Sequence, residues 1–462
     1  MFVKSNDLLM KEKARLYNNV AESGDCSGRL YAELQVHPSP RIAWEFESLG
    51  ASACEPDTDR SQGRLKNPLV GSWFSIDEPY VSGRSLSHSG APRVSLTGNA
   101  GYACYGDTDA RFDHFVFYLP NARFHERSFV GQEYLETTTS VIGKEKNGDI
   151  GWSTGGRRLS VSIDDTWSIG LITRKDALEW LAPRRDNVGT LITTTGALYH
   201  PGDENSGPKD KSDLPTLTVV EARELLSALS VLLSFANGGY LGPLCIRGVA
   251  IERPAATILA HLTTPLELLG RSWLTTDSDI TAYMHCFSAL NKMLSTPPWD
   301  RAFSLILVWY FQAIQPQSTQ LGKHWAVVAN AIGAALERLS YTILVQELKE
   351  IDPADWGKYH KSRKRIELLL EKIGIIRKGQ YRADVHFVKD FVEIRNDATH
   401  ARPTLALTDD KRNEIIALAI QWIEETLLWR LGYSGQYRNR VGYHYSRTTE
   451  PRYDLSTRQA GW

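Results

Sequence analysis

The hydrophobic pattern changes period once along the chain, from about two to about 3.6, and that switch confines the fold to a β-rich part followed by a helical part. From about residue 28 to 200 short alternating runs recur, "RLYAELQV", "HFVFYLP", "RRLSVSI" and "TWSIGLIT", separated by turn clusters such as "EKNGDIG" and "STGGRR". Residues 199–215, "YHPGDENSGPKDKSDLP", are either a domain boundary or a surface excursion. After them "TVVEARELLSALSVLLSFANGG" has helical spacing and ends in a Gly pair, where a helix can stop in the left-handed region, and "LCIRGVAIE" reads as a short strand. From about residue 280 nearly everything is helical, including "DRAFSLILVWYFQAI", "KHWAVVANAIGAALERLSYTILVQEL", "KSRKRIELLLEKIGII", "ADVHFVKDFVEIRNDATHAR" and "TDDKRNEIIALAIQWIEETLLWRLG". Consecutive helices with short links pack as a bundle. The fold class expected is therefore α+β multidomain. It comprises a β-rich domain over 1–275 that closes with a helix at 217–236 and a strand region, an all-α bundle over 296–432, and an Arg/Tyr-rich tail over 433–462.

At 462 residues, 42% of them hydrophobic, the chain can bury more than one core and is neither disordered nor fibrous. A formal net charge of -1 means that any surface for a polyanion has to come from local basic patches. The five cysteines are scattered and form no Cys-x-x-Cys pair, which suits reduced thiols and points to the cytoplasm. No signal-peptide pattern opens the chain, and the longest apolar run, residues 302–314, is too short to span a bilayer and reads as a buried core helix. No membrane partner is expected.

One short motif carries chemistry. In "FVEIRNDATHAR" Arg395 can present a permanently charged fork to a phosphate, and His400, with an unperturbed pKa of about 6.5, can move a proton at neutral pH. RNA brings its own nucleophile, the 2′-OH, so cleavage needs a base, a cation for the charge gathering on phosphorus, and an acid for the leaving 5′ oxygen. Spacing alone is weak evidence: Arg, four to six residues and His also occurs at Arg438 and His444 in "RNRVGYH". Context favours the first match. Val385, Val388 and Val392 lie at spacings that bury one stripe of the helix bearing Arg395, and Pro403 predicts that this helix ends just after His400. Residues five apart on a helix lie about 140° and roughly 7.5 Å apart. Both groups can therefore meet one phosphate only if the helix ends or two copies of the chain share the site. Asn396 and Asp397 carry short polar side chains able to orient the pair. The bland reading is a polar helix end.

A helical bundle carrying Arg-Asn-x-x-x-His, here Arg395, Asn396 and His400, resembles the HEPN domain over about residues 296–432. The resemblance implies a metal-independent endoribonuclease that dimerises so that both copies of Arg395 and His400 line one cleft. Arg395 would bind phosphate, His400 would act as general base or acid, and Asn396 would position them. Glu337 in "GAALERLS" is similar to an acidic residue that many such domains carry on an earlier helix. A β-rich N-terminal region ahead of such a bundle resembles the ApeA family of bacterial anti-phage proteins. That resemblance implies a homo-oligomeric ribonuclease of abortive infection, cutting RNA such as tRNA, with an N-terminal domain that senses a phage-derived trigger or restrains the nuclease. It implies no cofactor. Two alternatives stay open: a non-catalytic HEPN-like dimerisation or nucleotide- and RNA-binding module, and a carbohydrate-binding or other function of the β-rich half.

Other clusters are less specific. The run "KYHKSRKR" sets Lys358, Lys361, Arg363, Lys364 and Arg365 at the start of a helix, as an RNA-backbone contact or as a solvated face. The tail mixes Arg438, Arg440, Arg447, Arg452 and Arg458 with tyrosines, which suits RNA stacking, packing on a subunit, or no fixed structure. Asp107, Asp109, Asp113 and His114 read as turn residues ahead of a strand rather than as metal ligands. No Gly-x-x-x-x-Gly-Lys-Ser/Thr stretch supports ATP-driven chemistry.

Overall fold

The computed structural model describes the side chains of residues 44–47, 107, 109–120, 122, 159–163, 166–173, 194–200, 215–243, 245–248, 272–274, 280–314, 325–358, 361–375, 386–399 and 407–440, and elsewhere only the spans of some strands and helices. Strands occupy the N-terminal half and helices most of the C-terminal region, as the change of period predicts. The chain divides into two compact units, Met1–Ser230 with Leu241–Glu267, and Val231–Tyr240 with Leu268–Trp462.

In the first unit the described strand pairings are antiparallel, and seventeen strands join one sheet. The segment "HFVFYLP" forms strand His114–Pro120, between Ile192–Tyr199 on one edge and Cys245–Val249 on the other. Alternation predicts one wet face, yet every residue except Tyr118 is buried, because the nearly unbroken apolar run lets both faces pack. Phe117 stands opposite Gly196, and its ring fills the space that a side chain there would take, 2.0 Å from where a Cβ would sit. Ahead of the strand, Asp107 Oδ1 accepts the backbone N–H groups of Asp109 and Ala110, each at 3.1 Å, so this aspartate does turn chemistry.

The first helix described, α1 (Val219–Asn237), starts with a reciprocal cap. Thr218 Oγ1 accepts the Glu221 N–H at 3.1 Å, and the Glu221 carboxylate accepts the Thr218 N–H at 2.7 Å. That second bond, with the Arg111 guanidinium 3.5 Å away, holds the Glu221 carboxyl below the ordinary carboxylate range. The division between the units falls inside α1, after Ser230.

The second unit is helical: α2 (Ile280–Met284), α3 (Phe287–Leu294), α4 (Trp299–Ile314), α5 (Trp325–Ser340), α6 (Ser362–Lys372), α7 (Arg382–Thr399) and α8 (Asp409–Leu431). Helix α5 passes directly into a π-helical segment, Tyr341–Glu347. Glu347 there accepts from Trp299 Nε1 at 3.1 Å and pairs with Arg430 Nε at 2.7 Å, tying the start of α4 to the end of α8. An aromatic cluster joins Phe235, Trp273, Tyr283, Tyr310 and Tyr433. Helix α4, expected as a buried core helix, buries one face through Phe303, Ile306, Leu307 and Tyr310 and leaves Leu305 and Val308 exposed on the other. No described helix is long and apolar enough to cross a membrane.

Helix α8 is capped by Thr408, whose hydroxyl accepts the Lys411 N–H, and ends at Gly432 in the left-handed region with φ 70°. It is buried on all sides from Ile415 to Leu428, so its polar side chains must be satisfied from within the protein. Gln421 Nε2 donates to Glu425 Oε1 at 2.7 Å, and Tyr437 donates to the same oxygen at 2.8 Å. Arg440 reaches Glu424 with two nitrogens, Tyr310 donates to that carboxylate at 2.5 Å, and the Arg440 backbone N–H donates to Gln421 Oε1 at 2.9 Å. The first residues of the tail are thus an ordered part of the core, a role that their lack of periodicity concealed. Residues 436–438 also pair antiparallel with 457–459. The side chains of Arg447, Arg452 and Arg458 lie outside the described residues.

Candidate functional site

Helix α7 is described as far as Thr399, whose hydroxyl donates to the Arg395 carbonyl at 2.6 Å; the stop that Pro403 predicts just after His400 falls outside the described residues. His400 lies outside the described residues. The buried stripe of α7 is Val388, Phe391 and Ile394; Val392 is only half-buried and the Val385 side chain is outside the described residues, so the helix is turned slightly from the expected orientation. Phe391 lies at the centre of this stripe, and its ring meets Trp422 of α8 edge-on with centroids 6.3 Å apart. Arg395 lies one turn beyond Phe391 and is therefore drawn against the neighbouring helix, half-buried.

That neighbour is α5, and the contact is at Gly333. A Cβ on Gly333 would stand 3.2 Å from Arg395 Cγ and 3.3 Å from its Nε. The arginine stem thus crosses α5 at a residue without a side chain. Among the described residues no carboxylate pairs with its guanidinium. Asn396 and Asp397 are half-exposed on the following positions, about 100° and 200° further round the helix.

One turn along α5 from Gly333 is Glu337, and one turn further, at the start of the π-helical segment, is Tyr341. Each meets one partner. Glu337 forms an ion pair with Arg365 of α6, and Tyr341 meets the Trp356 ring edge-on at 5.2 Å. Arg365 joins the two partners, its guanidinium lying 4.1 Å over the Trp356 ring and donating to the Trp356 carbonyl at 3.2 Å. Desolvation lowers the pKa of Arg365, yet an arginine stays charged and the Glu337 carboxylate favours that charge. Arg395, Arg365 and Trp356 therefore stand in order along one stripe of α5.

The basic run at the head of α6 is partly spent on local pairs. Lys358 pairs with Asp355 at 2.5 Å, a contact that raises its pKa, and Arg363 pairs with Glu367 at 2.6 Å. Arg365 is only 14% exposed at its side chain. Lys361 and Lys364 are exposed and carry the solvent-facing charge of the run.

The rival motif meets a different environment. The Arg438 Nε donates to the Ser272 carbonyl at 2.8 Å and a terminal nitrogen to the Leu274 carbonyl at 3.3 Å, while its backbone N–H donates to the Trp273 carbonyl. Its guanidinium is committed to backbone, and His444 lies outside the described residues.

Residues 296–450 match the family model described as the YopA C-terminal domain, a span that begins just ahead of α4 and includes Arg395, Glu337 and Arg440. No curated protein and no solved structure matches the chain.

Two participants went unread in the sequence. Gly333, a lone glycine within "AIGAALERLS", gave a signal, since a glycine inside a helix usually marks close approach. Trp356 gave none, because a tryptophan after Pro353 in a polar turn carries no periodicity.

Proposed function

We propose that the chain is a metal-independent RNA endonuclease of HEPN type. The observation that supports this reading is the contrast between the two Arg-His matches: Arg438 is bonded to backbone carbonyls, whereas Arg395 lies half-exposed over Gly333 with no acidic partner among the described residues. A guanidinium held in place but not neutralised suits a phosphate. In this reading His400 removes the proton of the 2′-OH, the 2′ oxygen attacks phosphorus, and Arg395 balances the charge on the non-bridging oxygens. The bond to the 5′ oxygen breaks, and that oxygen takes a proton from an acid, the His400 of a second copy or water. The products are a 2′,3′-cyclic phosphate and a 5′-hydroxyl. Asn396 positions the pair, and two copies of the chain share one cleft.

The biological setting in this proposal is cytoplasmic anti-phage defence by abortive infection, with tRNA as one RNA target and the β-rich unit sensing a phage-derived trigger or restraining the nuclease. The test is cleavage of RNA by the purified chain in EDTA, with the new ends analysed for cyclic phosphate. His400→Ala should abolish cutting and leave the oligomer unchanged. Equal cutting by that variant overturns the assignment, and expression that is harmless in infected and uninfected cells alike favours a non-catalytic dimerisation or RNA-binding bundle.

A further inference from the structure

We infer that Gly333 is a positioning residue for Arg395, and that its missing side chain sets where the guanidinium meets RNA phosphate. The inference rests on the ribonuclease reading for the identity of the ligand, but its geometry stands independently. Gly333 is buried in the middle of α5, where a glycine weakens the helix and Ala, Leu or Glu would serve helix formation better. Its neighbours in sequence, Ala331, Ile332, Ala335 and Leu336, follow helical preference and are buried. The glycine departs from that preference at the position Arg395 crosses. An added methyl would sit 3.2 Å from Cγ, 3.3 Å from Nε and 3.6 Å from Cδ of that one side chain. Contacts of 3.2–3.3 Å are tighter than ordinary van der Waals packing, so the arginine stem would have to give way from α5 by a few tenths of an ångström, a shift that its long side chain carries to the guanidinium. The three nearest atoms all belong to Arg395, so the methyl acts on this side chain first and on the packing of α5 against α7 second.

Binding of a 2′-O-methyl RNA oligonucleotide to the full chain tests the inference, because this probe cannot be cut and affinity is read apart from chemistry. Arg395→Ala should weaken binding about tenfold and lower the slope of log affinity against log salt by about one, the signature of one lost phosphate contact. Gly333→Ala should reproduce much of both effects without lowering the melting temperature, and should do nothing further in the Arg395→Ala background. Gly357→Ala, at a glycine with nothing within 4 Å of the added atom, controls for substitution itself and should bind normally. If Arg395→Ala weakens binding but Gly333→Ala does not, the positioning role is overturned and the ribonuclease reading stands. If Gly333→Ala lowers melting temperature and affinity in both backgrounds with the salt slope unchanged, the glycine serves packing and the inference fails. If Arg395→Ala leaves affinity and slope unchanged, the phosphate role falls, and the inference falls with it.

Discussion

Arg440 and Glu424 form a two-pronged ion pair inside the helical unit, with Arg440 Nε 2.8 Å from Oε2 and a terminal nitrogen 2.5 Å from Oε1. Glu424 is completely buried and the Arg440 side chain is 10% exposed. Burial works against the charge of Arg440, and Glu424 outweighs it, so the guanidinium is held more firmly protonated than usual.

Removing one partner of such a pair leaves a buried charge alone. Arg440→Ala should cost about 3–5 kcal/mol of unfolding free energy. Arg440→Met combined with Glu424→Leu, which removes both charges and keeps volume, should recover most of that loss. Urea denaturation of the three proteins gives the comparison, and equal stability of the single variant and the native chain would contradict the pairing.

The cap of α1 makes a pH-dependent contribution. The Glu221 carboxyl has a lower pKa folded than unfolded, so its stabilisation is complete above the unfolded carboxylate range of about 4 and is lost as pH falls through the folded value. Glu221→Gln should therefore lower stability slightly at neutral pH, converge with the native chain at low pH, and so flatten the acid limb of the stability curve. Because Glu221 is exposed, the effect is small, and thermal melts from about pH 6 to pH 3 are the measurement.

Cys286 should be inert in the folded protein. Burial pushes its thiol up to about 12, so almost no thiolate exists at neutral pH. Cys245 is buried as well. A thiol reagent at pH 8 should label neither residue natively and both in denaturant, with peptide mapping to locate the label. Since the folded pKa lies above the unfolded one, the contribution of Cys286 is fully present below about pH 8.5 and declines as pH rises toward 12.

The basic residues near α6 should divide by environment. Lys361→Ala with Lys364→Ala should weaken RNA binding and reduce its salt dependence without changing the melting temperature. Arg365→Ala should instead lower the melting temperature, by removing both the Glu337 ion pair and the Trp356 stack. Melting curves and salt titrations on both variants separate the two roles.

Much of the helical unit was legible because its helices follow one period and start and stop at readable residues, such as Thr408 before α8 and Gly432 after it. The helix that carries Arg395 was legible for the same reason. What escaped were relationships across sequence distance. Glu424 in "QWIEET" reads as a solvated charge until Arg440, sixteen residues on, is seen to fold back on it. The stem of Arg395 finds its seat 62 residues earlier, at Gly333, and no local rule links them. The strand His114–Pro120 was placed correctly, but its second dry face could not be foreseen from a period of two.

The order of synthesis gives the Glu424–Arg440 pair a further meaning. A ribosome makes Tyr310, then Glu424, then Arg440, so the carboxylate exists before the cation that neutralises it. Until Arg440 emerges, seating α8 means burying a bare charge, and the contact of Trp422 with Phe391 that steadies α7 is held back with it. A nascent chain would thus carry α7, and Arg395 on it, without its final packing until Arg440 is in place. Chains truncated at residue 435 and released should accordingly be more protease-sensitive across α7 and α8 than the full chain, with equal resistance speaking against this timing.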